Sequence, residues 1–264
     1  MSSTTPPLRL LLPEPEDVPA DPAERRLASL YALPARRHVR ANMIVSVDGG
    51  AWGDDGRSGS INDTADWRVF RVLRALADVV LVGAGTARDE GYTSLTRPRG
   101  LGHLAERPLE LALVTRSGRL PGSVLDGARP PWVVTGAAGE TSASAQVGAD
   151  RVIVAGDGDT IDLAAGTAAL AERGMSRVLC EGGPRLLASM LSADLVDELC
   201  LTTAPLLVGP GPGRIVAAAR EAATARVRAA RLAHLLAAPS GTQLARWDLR
   251  GHPEAHRAPA ATVP

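Results

Sequence analysis

One short segment, residues 177–187, most constrains the fold of this chain. It reads Arg-Val-Leu-Cys-Glu-Gly-Gly-Pro-Arg-Leu-Leu, which predicts an apolar strand, a turn at Gly182 and Gly183, and a helix. Pro184 suits the first helical position, because the amide that proline lacks would be unpaired there. Two glycines let a ligand approach the backbone closely, and a helix N-terminus offers free N–H groups to an anion. Glu181 would place a carboxylate beside that site; the alternative is an ordinary turn with a solvated glutamate.

A second turn of the same kind lies upstream. The apolar run 79–82 ends at Gly83-Ala84-Gly85-Thr86. Ligands of open α/β sheets bind at the carboxyl ends of the strands, so the two turns could line one crevice. Arg88 stands where the third glycine of a G-x-G-x-x-G fingerprint would be. A standard dinucleotide-binding fold is therefore disfavoured, whereas a dinucleotide held by two separated turns stays open.

Two further strand ends carry polar side chains. Thr115-Arg116-Ser117 follows the apolar run 109–114 and would suit an adenosine 2′-phosphate, or it is an ordinary polar turn. Asp48 ends the first strand, and Asn42 and Ser46 share one face of that strand by even spacing. Asp-Gly-Gly is also typical of a tight turn.

Strands that alternate with helices predict one α/β domain with a mostly parallel sheet. The predicted strands are residues 38–47, 79–82, 109–114, 132–135, 151–155, 177–180 and 199–208, and the predicted helices are residues 22–31, 62–76, 162–173 and the one that begins at 184. In the second helix, Trp67, Phe70, Val72, Leu73 and Leu76 form the expected apolar face. Residues 226–237 and 242–249 predict an antiparallel terminal hairpin. We expect an N-terminal extension over 1–37, a folded domain over 38–250 and a disordered tail over 251–264.

Composition excludes several functions. The 29 basic residues are all arginine, which excludes a P-loop lysine and a Schiff-base lysine. The formal net charge is zero, so neither nucleic acid nor a membrane surface is a predicted partner. Cys180 and Cys200 lie in apolar runs, and no metal site is predicted. The chain shows neither a signal peptide nor a membrane-spanning run, and we expect a cytoplasmic protein.

Three blocks together resemble a known family, the pyrimidine reductases of riboflavin biosynthesis, which have a dihydrofolate-reductase-like fold. The blocks are residues 43–49; Leu73-Arg74-Ala75 with Asp78 and residues 82–86; and residues 181–184 with residues 195–199. The resemblance spans about residues 39–249. It implies NADPH-dependent reduction of a ribosylamino-pyrimidine phosphate, with hydride delivered to C1 of the sugar, and a homodimer. Most of the catalysis would then be positioning of the substrate and cofactor.

The resemblance and the strand ends together give the predicted site. Ser58, Arg74, Arg97 and Glu181 resemble substrate-side residues, and the two arginines would suit the ribose phosphate. The complete predicted set is Asp48 and Glu181 as catalytic residues; Asn42, Ser58, Arg74 and Arg97 for the substrate; and Ser60, Gly83, Ala84, Thr86, Glu90, Thr115, Arg116, Ser117, Gly182, Gly183, Pro184, Arg185 and Leu186 for NADPH.

The chain also departs from the family pattern. Ser60 replaces an aromatic or bulky residue, and Glu90-Gly91-Tyr92 replaces the usual Asp-Asp-Pro. The P-C-x-x-C signature of the zinc deaminase that many members carry is absent. Two alternatives follow: a dihydrofolate-reductase-like enzyme acting on a pterin, and a non-catalytic nucleotide-binding paralogue.

Overall fold

An eleven-stranded sheet organises the protein. The structure is a computed structural model that describes residues 5–218 and 227–250. Its strands are β1 Leu8–Leu12, β2 Glu16–Val18, β3 His38–Ser46, β4 Val79–Gly83, β5 Glu110–Val114, β6 Trp132–Thr135, β7 Val152–Val154, β8 Arg177–Cys180, β9 Glu198–Ala204, β10 Arg231–Ala237 and β11 Gln243–Asp248. The α-helices are α1 Arg25–Leu30, α2 Thr64–Leu76, α3 Ala84–Asp89, α4 Gly122–Leu125, α5 Glu140–Val147, α6 Leu163–Glu172 and α7 Pro184–Ser192.

The strand order is β2-β1-β10-β11-β9-β3-β8-β4-β5-β6-β7. Neighbours from β9 to β7 are parallel, and those from β2 to β9 are antiparallel. The predicted α/β class, the mostly parallel sheet and the C-terminal hairpin of β10 and β11 are therefore confirmed. Strand β9 ends at Ala204, four residues before the predicted end, where Pro205 removes a backbone donor.

The centre of the sheet is buried on both faces. Val79, Val80, Leu81 and Val82 of β4 are each at most 1% exposed, as expected for an apolar run between parallel neighbours. Helix α2 packs into the core on one face, while α6 and α7 contribute to the core on the other. Among the described residues, no helix has both the length and the apolar character needed to cross a membrane.

Helix α2 begins as predicted, and Val72, Leu73 and Leu76 of its predicted apolar face are buried in the core. The Asp63 carboxylate accepts hydrogen bonds from the amides of Ala65 and Asp66 and so caps the helix. The prediction that Trp67 belongs to the apolar face is wrong, because its side chain is 51% exposed. The buried residues of α2 also include Asp66 and Arg68, whose polar groups have partners in neighbouring segments.

Arg68 fastens the N-terminal residues to the body of the protein. Its guanidinium donates to both carboxylate oxygens of Glu24, at 2.8 and 2.7 Å, and to the carbonyls of Pro6, Val18 and Pro19. Strands β1 and β2 continue the main sheet beyond β10. The predicted boundary at residue 37 therefore does not coincide with a break in the sheet. The predicted tail, residues 251–264, lies outside the described residues.

Asp66 gives the fold a specific pH dependence. Burial raises the pKa of its carboxyl to about 6, from an ordinary value of 3.8, although the Thr202 hydroxyl donates to it. Between these pH values the folded state binds a proton that the unfolded state has lost, so stability falls as the pH rises. We predict that the free energy of unfolding of wild type, relative to Asp66→Asn, falls by up to about 3 kcal/mol from pH 4 to pH 7. Urea unfolding across this range measures the difference, and parallel pH profiles for the two proteins would contradict it.

Candidate active site

The two glycine turns meet at the carboxyl ends of neighbouring strands. Strands β4 and β8 are parallel and place Leu81 opposite Cys180. Directly beyond this pair, the N–H of Gly83 donates to the carbonyl of Gly182 at 2.9 Å. The N–H of Gly183 donates to Oγ1 of Thr86, also at 2.9 Å. Two segments about a hundred residues apart in sequence thus form one edge.

This edge is open to a ligand at one point and closed at another. A Cβ added to Gly85 would meet nothing within 4 Å, so the backbone there can be approached. A Cβ on Gly183 would lie 2.3 Å from Oγ1 of Thr86, so only glycine fits this contact. Helix α7 begins at Pro184 as predicted. The Arg185 side chain is exposed. The Leu186 side chain packs in the core, so only the backbone of Leu186 is available at this edge.

A buried ion pair lies beside the turns. Glu181 follows β8, and its carboxylate accepts two hydrogen bonds from Arg74 of α2, from Nε at 2.8 Å and from Nη2 at 2.7 Å. The Tyr92 hydroxyl donates to the same carboxylate at 2.6 Å. The side chains of Glu181 and Arg74 are 3% and 17% exposed. Because two charge-assisted bonds fix the planar guanidinium, Arg74 is held in one orientation.

Aromatic rings complete this cluster. The guanidinium carbon of Arg74 lies 4.2 Å from the ring centroid of Phe70 and 5.7 Å from that of Tyr92. Burial, followed by the charge of Glu181, raises the pKa of Tyr92 well above its usual value. Tyr92 is therefore a protonated donor at neutral pH. Burial alone would lower the pKa of Arg74, but Glu181 outweighs burial and raises it, which keeps Arg74 charged.

Asn42 stands next to Glu181 in the sheet. Strands β3 and β8 place Ala41 opposite Cys180, and Asn42 and Glu181 are the next residues on the two chains. The Asn42 side chain is half-buried and makes no side-chain hydrogen bond to another described residue. Its amide is thus a donor and acceptor still available at the site.

The structure also brings Ser58 and Glu90 together. The amide of Ser58 donates to Oε1 of Glu90 at 2.8 Å, which joins the loop before α2 to the end of α3. The Ser60 hydroxyl is exposed and donates to the carbonyl of Arg57. The amide of Glu90 in turn donates to the carbonyl of Thr86 at 2.9 Å, so Ser58 is linked through Glu90 to the Thr86 turn.

The turn after β5 lies at the same edge, because β5 is the parallel neighbour of β4. Thr115 is buried, and its hydroxyl is 3.4 Å from the carbonyl of Arg119, as in an ordinary polar turn. The side chains of Arg116 and Ser117 are exposed. Two of the three predicted phosphate ligands are thus accessible.

Arg97 is not brought to this site. Its guanidinium donates to the carbonyls of Ala75, at 2.6 Å, and Ala77, at 3.0 Å, and also to that of Arg107. These carbonyls precede β4 and β5, so Arg97 lies at the amino ends of the strands, opposite the glycine turns. In this position Arg97 satisfies carbonyls that the end of α2 leaves unpaired.

Asp48 also has a structural partner. Its exposed carboxylate accepts hydrogen bonds from the Ser46 hydroxyl and from the amides of Gly209, at 2.8 Å, and Val208, at 3.2 Å. The Ser46 bond, followed by the two amides, lowers the pKa of Asp48. The described hydrogen bonds of Asp48 therefore hold the loop after β9 in place, and none of them connects Asp48 to the Glu181 cluster.

The contacts of Tyr92 and Phe70 with this ion pair were not predicted from the sequence. Tyr92 stood out only as a departure from the family pattern. One signal was available: the chain has two tyrosines and one phenylalanine. Two of these three rings contact the guanidinium of Arg74, so the positions of these rare residues could have indicated the site.

Comparison with known proteins identifies the family of this chain. The family model of the RibD C-terminal domain matches residues 37–244. The chain belongs to the RibD C-terminal domain family. A pyrimidine reductase-like protein from Corynebacterium diphtheriae has a similar structure, with a TM-score of 0.73 and 26% identity over 86% of this chain and 99% of that one.

Two curated relatives carry more specific names. The 2,5-diamino-6-ribosylamino-4(3H)-pyrimidinone 5′-phosphate reductase of Archaeoglobus fulgidus is 30% identical over 183 residues, which cover 66% of this chain and 83% of the relative. The riboflavin biosynthesis protein RibD of Bacillus amyloliquefaciens is 27% identical over 180 residues. That match covers 65% of this chain and 46% of the relative. The present chain therefore spans about half of the length of that longer protein.

The contact between the turns can be tested by a double-mutant cycle. We predict that Gly183→Ala destabilises the protein by about 1–3 kcal/mol, because the new methyl group overlaps the Thr86 hydroxyl. Thr86→Ala removes that hydroxyl, so Gly183→Ala should cost clearly less in the Thr86→Ala background. Gly183 has an ordinary negative φ, and backbone strain does not contribute. Denaturant unfolding of the four proteins gives the coupling, and additive effects would contradict the contact.

Proposed function

We propose that this chain is an NADPH-dependent reductase of a ribosylamino-pyrimidine 5′-phosphate in riboflavin biosynthesis. The observation that carries the proposal is the edge at which the turns after β4 and β8 meet beside the Glu181–Arg74 pair. The name of the Archaeoglobus relative, a reductase of such a phosphate, supports the substrate class. Either the amino-pyrimidinone or the deaminated uracil form of the substrate fits this class.

The residues at this edge fit a phosphorylated dinucleotide. The open backbone at Gly85 and the N-terminus of α7 offer amide donors, and Arg185 and Arg116 are exposed cations at the same ends of the strands. We assign the turns 83–86 and 182–185 to the nicotinamide half, and Arg116 with Ser117 to the adenosine 2′-phosphate. When bound, NADPH supplies the hydride; the protein supplies the fixed geometry.

The Glu181–Arg74–Tyr92 cluster would hold the substrate. Arg74 uses Nε and Nη2 on Glu181, which leaves Nη1 to donate to a phosphate or carbonyl oxygen of the substrate. Glu181 acts by orienting Arg74, since both of its oxygens already accept hydrogen bonds. Asn42 adds an amide on the same face. Catalysis at such a site is mainly the positioning of two reactants.

We also propose that the enzyme is a homodimer. One face of β9, β11 and β10 carries apolar side chains that are only half-buried within the chain: Leu199, Leu201, Leu235, Ala245 and Trp247. Leu12 of β1 extends this face and is 45% exposed. A contiguous apolar sheet face of this kind is typical of a surface that a second copy covers.

Arg74 provides the sharpest test of the proposed site. We predict that Arg74→Lys lowers kcat/KM for the pyrimidine substrate by about 100-fold, because lysine cannot form the bidentate pair with Glu181 or keep the same donor in place. The dissociation constant of NADPH should change less than about twofold. Substrate-dependent NADPH oxidation and fluorescence titration of NADPH measure the two quantities.

Arg71→Lys is the matched control, because Arg71 lies one turn earlier on α2 and, among the described residues, donates only to the carbonyl of Arg99. Its kcat/KM should stay within about twofold of wild type. NADPH that binds but is not oxidised with either form of the pyrimidine substrate would contradict the proposed function. Turnover of dihydrofolate in its place would favour the pterin alternative.

A further inference from the structure

A cavity opens at the edge of the sheet opposite the glycine turns. It has a volume of about 180 Å³ and lies at the amino ends of β4, β5, β6 and β8. Its wall consists of Asp78, Arg107, Pro108, Glu110, Trp132, Arg151, Arg173, Gly174 and Met175; we call it the amino-edge cavity. Five residues of parallel strand separate the two edges, a distance of about 16 Å. A ligand in this cavity would therefore not touch the glycine turns.

Positive charge exceeds negative charge around this cavity. Asp78 pairs with Arg177 at 2.6 Å, and Glu110 pairs with both Arg129 and Arg151. Both carboxylates of the wall are thus neutralised by arginines. The other two arginines of the wall have no carboxylate partner among the described residues.

These two arginines have donors to spare. Arg107 donates from Nη1 to the carbonyl of Gly174, and Arg173 donates from Nη1 to the carbonyl of Ala169, each as its one described side-chain bond. A guanidinium carries five N–H donors, so most of theirs are available to an anion.

Trp132 gives the cavity an aromatic wall. The guanidinium carbon of Arg151 lies 4.9 Å from its ring centroid, and that of Arg173 lies 5.5 Å away. Stacking of this kind keeps the arginine heads near the cavity. The indole N–H of Trp132 is buried and lacks a partner in the described part of the chain.

We propose that the amino-edge cavity binds a small phosphate-bearing anion, between inorganic pyrophosphate and a sugar phosphate in size. Its volume is below the roughly 300–1,000 Å³ of pockets for drug-sized ligands, which favours a compact ligand. Unpaired guanidinium forks match phosphate oxygens and form charge-assisted bonds to them. This site is separate from the proposed NADPH and substrate sites, and the proposal does not depend on the reductase assignment.

The test is calorimetric titration of the full-length chain with inorganic pyrophosphate in the presence of saturating NADP⁺, so that any cofactor phosphate site is filled. We expect binding that Arg107→Gln/Arg173→Gln weakens by at least about tenfold, since each arginine contributes a charge-assisted bond. Arg9→Gln/Arg25→Gln is the control, because it removes the same charge from two exposed side chains. It should leave the affinity unchanged.

Two results would overturn the proposal. The first is that pyrophosphate does not bind at concentrations up to about 10-fold above the millimolar range of physiological phosphate. The second is that both double variants lose affinity equally, which would show that only the overall charge of the protein matters. Uncharged ribose is the control ligand. It should not bind, which would show that recognition requires the phosphate. NADPH oxidation in the same variants is expected to match wild type. Failure of the reductase assignment would therefore appear in the oxidation assay, and failure of this proposal would appear in the titration.

Discussion

The backbone contact between the two glycine turns is the constraint on which the site depends. Parallel pairing of β4 with β8 brings Gly83 to the carbonyl of Gly182, and Thr86 then accepts the N–H of Gly183. The contact needs glycine at position 183, because any side chain would meet the Thr86 hydroxyl. Residues from two distant parts of the chain thereby acquire a fixed relative position. A cofactor that spans both turns would find its binding edge already formed, which lowers the entropic cost of binding.

Helix α2 links this edge to the rest of the protein. It carries Arg74 near its end and Arg68 one and a half turns earlier, and each arginine forms a buried pair with a glutamate. The pair of Arg68 with Glu24 fixes the helix against the N-terminal segment, and the pair of Arg74 with Glu181 fixes it against β8. A buried charge without its partner is strongly unfavourable, so both pairs specify where α2 lies. The N-terminal residues are in this sense part of the frame that positions the site.

The sequence predicted local features better than long-range contacts. Short apolar runs such as β4, and the glycine and proline at the start of α7, have local physical causes, so strands β3 to β11 and the turn before α7 could be predicted. The sequence could not show that Arg74 binds a carboxylate whereas Arg97 binds carbonyls at the end of a helix. Which partner an arginine finds depends on tertiary packing. The exposed position of Trp67 has the same origin: the N-terminal segment covers the face that bears Arg68. Strand β1 was missed although Leu8 and Leu10 alternate with exposed neighbours, since Arg9 and Pro13 obscured the pattern.

A crystal structure of the protein with NADP⁺ would test directly whether the two glycine turns form one cofactor site. We predict that one cofactor molecule contacts both the 83–86 turn and the 182–185 turn, with its nicotinamide ring beside the Arg74–Glu181 pair. A cofactor bound to only one of these turns, or at another edge of the sheet, would contradict it.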